Sequence, residues 1–412
     1  MVSQIGAETS LKTQAPMEVV DTNKTLELKW MYCPSRSIHW GRVCRDLFAA
    51  RSLPVWPQFR YGQVIDFYQV RSVLWFLCEY WDLQPDDEVL MPAYNCGSEV
   101  DPFHAYGVKV IFYPVDKRAG IDTGTIQGLC GPRTRVVYIT HYFGWGHNIK
   151  TLYAWCQEYR IKVIEDCALA LFSRGDEGYL GTNSDAAVFS LKKSLSVPDG
   201  AVLVLREPMR EGVPVLRRPS ALRTFRNMLP FVKSSVKAMI GPRGDVKREI
   251  DHSGTNCVDI LDMVPPSLPD MPRDYYFDKR LRNWRMSHIA SGILRQINPE
   301  FIYQKRRENY LYLLEQLEGI PGFSPLFNEL PPGVCPLSLV AVVPNRKVLV
   351  DALARFGIDA YPWWEGYHRN FDWGEFPDAR FLKDQVISLP IHQLLETRHM
   401  DYIAKSMKRL LR

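Results

Sequence analysis

The chain has 412 residues, a length that favours two domains, and its 46% hydrophobic and 12% aromatic content can fill a substantial core. A net charge of +5 spread over that length is too mild to indicate a nucleic-acid partner, though it suits a site that receives anionic groups. Nine scattered cysteines without a C-x-x-C pair argue against a disulfide framework or a zinc site, so free thiols, no bound metal and a reducing cytoplasm are expected.

Residues 1–30 are polar, contain no apolar h-region and read as a disordered extension; no apolar run anywhere is long enough to span a bilayer. From Arg71, the apolar positions Leu74, Leu77, Cys78 and Trp81 recur at helical spacing. A turn at Pro85-Asp86-Asp87 leads into a strand over Glu88–Met91. The strands VKVIFYPV (108–115), TRVVYIT (134–140), IKVIED (161–166), DAAVFSL (185–191) and GAVLVL (200–205) follow, with a helix near Ile149–Tyr159. β-branched strands alternating with helices predict an α/β fold, a mainly parallel sheet sandwiched by helices, with ligands at the carboxyl ends of the strands.

The large domain is expected over 31–275, including a basic, proline-punctuated insertion at about 209–274. Within it Leu222, Phe225, Leu229, Val232, Val236 and Met239 recur at helical spacing beside Arg223, Arg226, Lys233 and Lys237. A helix packed over the site or a subunit interface is the preferred reading, ahead of a membrane or acidic-protein contact. A smaller α+β C-terminal domain, 276–412, opens with a long helical pattern near Asn283. It continues through SLVAVV (338–343), a helix at Arg346–Phe356, an aromatic patch (361–376) and QVISLPIH (385–392).

The chemistry concentrates in 163–200. Asp166 closes one apolar strand; Ser190 and Lys193 close and follow another. A carboxylate at a strand end can hold the protonated nitrogen of a pyridine ring, a hydroxyl can bind a phosphate, and a lysine amine can condense with an aldehyde. These are the parts needed to hold pyridoxal 5'-phosphate. Asp166 alone would read as a helix cap; the downstream lysine changes that. Lys192 is the rival to Lys193, which is preferred because, three residues after Ser190, it can reach the aldehyde from the same bend. Arg71 and Ser72 open a helix whose free N–H groups and dipole favour the phosphate.

From about residue 60 onward the chain resembles the DegT/StrS family of pyridoxal-phosphate aminotransferases. The resemblance rests on PDDEVLMPAYNCGSEV (85–100), HYFG (141–144), VIEDCA (163–168), GTNSDAAVFSLKKSLSVPDG (181–200), NWRMSHIASGILRQI (283–297) and ISLPIH (387–392). It implies fold type I, with a seven-stranded sheet in the large domain. By resemblance, Asp166 partners the pyridine nitrogen, Lys193 carries the cofactor, and Ser190, Arg71 and Ser72 bind its phosphate. Asn283 matches an asparagine that reaches the cofactor phosphate from the other subunit, which implies a homodimer with shared active sites. The implied reaction moves an amino group from glutamate or glutamine to a keto or aldehyde intermediate, a keto-sugar nucleotide being the family's commonest acceptor.

Some positions depart from the family's pattern. The Ser190–Lys193 interval is short, and Pro198-Asp199-Gly200-Ala201 replaces Gly-acid-Gly-Gly. Leu169 stands where a polar residue is usual, and Cys96 stands at the ring-stacking position, with Tyr94 as a substitute. Trp363, Trp364, Tyr367 and Trp373 could line the pocket or pack the small domain. These changes point to an acceptor outside the usual sugar nucleotides. A lyase or cyclase on the same fold and a non-catalytic scaffold are the alternative readings.

Overall fold

The computed structural model describes residues 53–208, 216–220, 222–224, 226, 229, 270–364 and 366–411. The expectations for residues 1–30 and for most of the insertion at 209–274 lie outside the described residues.

The large domain is one seven-stranded sheet. Its strands are β1 (Gln63–Phe67), β2 (Glu88–Pro92), β3 (Lys109–Tyr113), β4 (Thr134–Thr140), β5 (Lys162–Asp166), β8 (Ala186–Ser190) and β9 (Ala201–Leu205). A two-strand hairpin, β6 (Arg174–Gly175) and β7 (Gly178–Tyr179), intervenes before β8. The sheet order is β1-β9-β8-β5-β4-β2-β3. Neighbours from β8 to β3 run parallel, while β9 runs against both β8 and β1. The reversal has a simple cause. Parallel strands need a crossover of roughly a dozen residues or more, and the link from Ser190 to Ala201 is a single turn and a short loop.

Helices α1 (Val70–Tyr80), α2 (Asp101–Tyr106), α3 (Thr123–Leu129) and α4 (Lys150–Glu158) connect the strands. Of the stripe its spacing predicts, α1 buries Leu74, Leu77 and Cys78, with Val73, Trp75 and Phe76 buried beside them, while Trp81 is half-buried just beyond the helix end. The central strands are buried almost throughout, as expected of a sheet covered on both faces. The register places Thr140 opposite Asp166 and Asp166 opposite Val188, so the carboxyl ends of β4, β5 and β8 open on one edge.

The helical pattern expected from Asn283 is divided. Asn283 lies in a turn; α6 spans His288–Leu294, capped by the Ser287 hydroxyl, and α7 spans Pro299–Gln316, capped by Asn298. Asparagine followed by proline at the first helical position is a start signal, and it restarts the helix here. The small domain is a four-stranded antiparallel sheet of β10 (Ser324–Pro325), β11 (Leu339–Val342), β13 (Val386–Leu389) and β12 (Tyr361–Pro362). Helices α8 (Arg346–Arg355), α9 (Pro377–Gln385) and α10 (Thr397–Leu410) complete it. Leu313, Leu339, Leu353, Ile387 and Met400 share its core.

Candidate active site

β5 delivers Asp166 at its carboxyl end, buried, with Oδ1 accepting the Ala168 N–H at 2.8 Å. Burial pushes its carboxyl above the usual range, the Lys193 ammonium pulls it back, and the nearby Glu99 charge opposes that pull. The Tyr138 hydroxyl on β4 lies beside the same carboxylate.

β8 ends at Ser190, and α5 (Leu191–Ser194) turns the chain. The Ser190 side chain caps no N–H of that turn, which leaves its hydroxyl free for a ligand. The two lysines on the turn face different groups. Lys193 is half-buried, with its ammonium 5.7 Å from the centre of the Trp363 ring and within electrostatic reach of Asp166 and Cys96. Lys192 is exposed and sits among Arg71, Asp199 and Asp274. The turn is held from the small domain: the buried Arg306 of α7 donates through Nη2 to the Ser194 carbonyl at 3.1 Å and through Nη1 to Leu337 at 2.7 Å.

Behind the turn, Asp199 is buried and accepts the Ser287 N–H at 2.8 Å. Burial pushes its carboxyl up to about 6, against the pull of the Ser287 hydrogen bonds, Lys192 and Arg218. Gly200 takes a φ of +127°, a left-handed value that favours glycine, and donates to the Tyr68 carbonyl at 2.8 Å. A side chain there would press on Met286.

At the opening of α1, Gln69 supplies no side-chain cap and its carbonyl accepts the Ser72 N–H at 3.1 Å, which leaves the Val70 and Arg71 amides to an anion. Arg71 donates to the carbonyls of Asp274 at 2.6 Å and Tyr276 at 2.9 Å, and burial lowers its pKa. The Ser72 hydroxyl is fully buried and donates to the Leu281 carbonyl at 2.8 Å, so it fastens that segment to the helix. Asn283 is half-buried, and its carbonyl accepts the Arg217 N–H at 2.7 Å.

The loop after β2 carries Tyr94 and Cys96. Tyr94 is fully buried; its hydroxyl donates to the Trp363 carbonyl at 3.0 Å, and its ring lies 4.7 Å from Trp364. The Cys96 thiol donates to Glu99 Oε2 at 2.6 Å, while the Cys96 N–H donates to Oε1 at 3.0 Å. Burial first, then the Glu99 charge, pushes this thiol up to about 12. Trp363, Trp364, Tyr367 and Trp373 are all buried, with Trp373 stacked on Phe112. They pack the junction of the two domains, and Trp363 also faces Lys193. Leu169 is buried in the same large core.

Asp166, Lys193, Cys96 and Trp363 therefore share one neighbourhood, with Arg71 and Lys192 on its flank. Sequence reasoning assigned no role to Glu99, Asp199 or the buried Lys383 of α9. The first two stand within quoted motifs, but nothing local marks them as buried acids. Among the described residues no cluster of potential metal ligands occurs and no helix is long and apolar enough to cross a membrane.

A mostly parallel seven-stranded sheet with these groups at its carboxyl edge, joined to a smaller α+β domain, is the architecture of the fold type I class. Residues 74–227 match the model of the DegT/DnrJ/EryC1/StrS aminotransferase family. Protein MosB of Rhizobium meliloti is 29% identical over 129 residues, 31% of this chain and 25% of that protein. The dTDP-4-dehydro-2,3,6-trideoxy-D-glucose 4-aminotransferase of Saccharopolyspora spinosa is 26% identical over 149 residues, 35% of this chain and 39% of that one. The chain thus matches between about a quarter and two fifths of the length of these curated relatives. Among solved structures, Helicobacter pylori PseC, an aminotransferase involved in the biosynthesis of pseudoaminic acid, superposes with a TM-score of 0.67 at 16% identity, covering 94% of this chain and 99% of that one. The aminotransferase TlmJ from Streptoalloteichus hindustanus gives 0.63 at 21% identity, covering 90% and 95%. At these identities the superpositions speak to the fold.

Proposed function

We propose that the chain is a pyridoxal-phosphate-dependent aminotransferase that moves an amino group from glutamate or glutamine to a keto-sugar nucleotide. The observation that carries this reading is the pairing of Asp166 and Lys193 at the carboxyl edge of the sheet, in the frame of an aminotransferase family.

The residues present fit the cofactor. Uncapped amides at the start of α1 and the unengaged Ser190 hydroxyl form an anion-ready corner, with Arg71 and Lys192 adding positive charge. The buried Asp166 carboxylate, lifted by desolvation, gains a counterion when a cationic ring nitrogen lies against it. When bound, pyridoxal phosphate supplies an aldehyde for the amine and an electron-withdrawing ring. Lys193 Nζ holds the cofactor and carries a proton to and from the substrate carbon. Asp166 keeps the ring nitrogen's proton in place. Trp363 covers one side of Lys193 and limits its contact with water.

The family match and the names of the relatives, several of them sugar-nucleotide aminotransferases, support the acceptor class. Cys96 and Leu169 favour a second reading, in which the acceptor is a ketone or aldehyde without the nucleotide. A homodimer in which Asn283 completes the partner's phosphate site belongs to the same proposal. The test is to supply the cofactor-loaded protein with glutamate or glutamine and a panel of keto-sugar nucleotides, then detect keto acid and amino sugar by mass spectrometry. Amination that weakens when the nucleotide is removed supports the first acceptor class, and indifference to the nucleotide supports the second. Keto acid formed from no donor would refute amino transfer.

A further inference from the structure

α9 of the small domain buries a lysine: Lys383 is 1% exposed. Its ammonium donates to the Asn95 carbonyl at 2.7 Å and lies 4.8 Å and 5.0 Å from the ring centres of Tyr367 and Trp373. Asn95 is itself a hinge of the loop after β2. Its side chain donates to the Pro92 carbonyl at 2.8 Å and accepts the Gly97 N–H at 2.9 Å. The next residue is Cys96, whose thiol and N–H both point at the buried Glu99 carboxylate.

Among the charges acting on Lys383, those of Glu99 and Asp384 favour its ammonium form and that of Arg346 opposes it. Burial brings its pKa down to about 8, so the ammonium form persists at neutral pH. A buried cation costs the fold several kcal/mol unless compensated. Here an opposite charge, Glu99, sits on the loop whose carbonyl the ammonium grips.

We propose that Lys383 is a positioning residue that reaches across the domain junction, balances Glu99 and clamps the Tyr94–Glu99 loop, holding Cys96 buried against Glu99 and beside Lys193. The importance of that position for amine transfer rests on the proposed function; the clamp itself does not, and it is measured without cofactor or turnover.

Cofactor-free protein is treated with iodoacetamide at pH 7.5, and labelling of Cys96 is read by peptide mass spectrometry relative to the half-buried Cys130 in the same sample. Lys383→Met keeps most of the side-chain volume and removes the charge; Lys383→Arg keeps the charge and crowds the site. A clamp predicts that Lys383→Met raises the Cys96-to-Cys130 ratio about tenfold or more, whereas Lys383→Arg stays within about threefold of wild type. Packing alone predicts the reverse order. If the clamp acts through Glu99, adding Lys383→Met to a Glu99→Gln background changes the ratio by less than about threefold. That background also serves if the single Met variant does not fold. A Met variant that labels like wild type, an Arg variant as labile as Met, or an equal effect in both backgrounds overturns the proposal.

Discussion

Asp199 follows Lys193 on the return to the sheet, where a glutamate or aspartate would normally look like a solvated turn residue. Its burial and its acceptance of the Ser287 N–H make it a charge that the fold holds at a cost. A carboxyl raised from 3.8 to about 6 binds its proton more tightly in the folded state. Stability therefore falls as pH rises through that window and stays lower above it, by about 3 kcal/mol at roughly 1.4 kcal/mol per pH unit. In urea unfolding of the cofactor-free protein, Asp199→Asn should be the more stable form at pH 8, with the advantage vanishing near pH 4. A pH-independent difference would mean that the charge is not what matters. The positions of Asp166 and Lys193 were legible in the sequence because the first ends an apolar strand and the second lies in the turn just after another. The role of Lys383 was not, because the carbonyl it grips lies in a different domain, and nothing in its sequence neighbourhood marks Glu99 as a buried acid.

At the scale of elements, the alternation of apolar strands and helices was sufficient to predict a covered, mainly parallel sheet. Strand direction was not accessible in the same way: β9 is as buried as the parallel strands β5 and β8, and only the short connection after β8 reverses it. β1 was missed because Gln63–Phe67 alternates too briefly to stand out, and the six-residue α2 and seven-residue α3 are too short for periodicity to register. The HYFG stretch shows why a motif can matter without touching chemistry. Gly144 adopts a φ of +113°, and a Cβ there would run into the Cys335 carbonyl, while the Phe143 carbonyl accepts the Leu337 N–H at 2.8 Å. Gly144→Ala should therefore lower unfolding stability by about 2 kcal/mol or more, combining left-handed strain with a backbone clash. A neutral result in denaturant titration would show that the large-domain and small-domain strands can separate here without cost.

For the molecule as a whole, the domain junction is the least legible feature and the one on which the site depends. Arg306 reaches the lysine-bearing turn, Lys383 reaches the Cys96 loop, and Trp363 faces Lys193, all from the small domain. Pattern reading treats the two domains separately, so these crossings leave no local trace. The proposed dimer extends the same principle to a second copy. If Asn283 completes the partner's site, the interface should bury more than roughly 2,000 Å². Mixing Asn283→Ala with Lys193→Ala protein should then restore part of the activity in heterodimers. Subunit exchange without any recovery would place both residues in one chain's site.

The proposed function stands or falls on Lys193 carrying pyridoxal phosphate opposite Asp166. The most direct measurement is to incubate the protein with pyridoxal phosphate, reduce with borohydride, digest it and locate the modified residue by mass spectrometry. Stoichiometric label is expected on Lys193, lost in Lys193→Ala and retained in Lys192→Ala. Label on Lys192, or scattered at low yield over surface lysines, would contradict it.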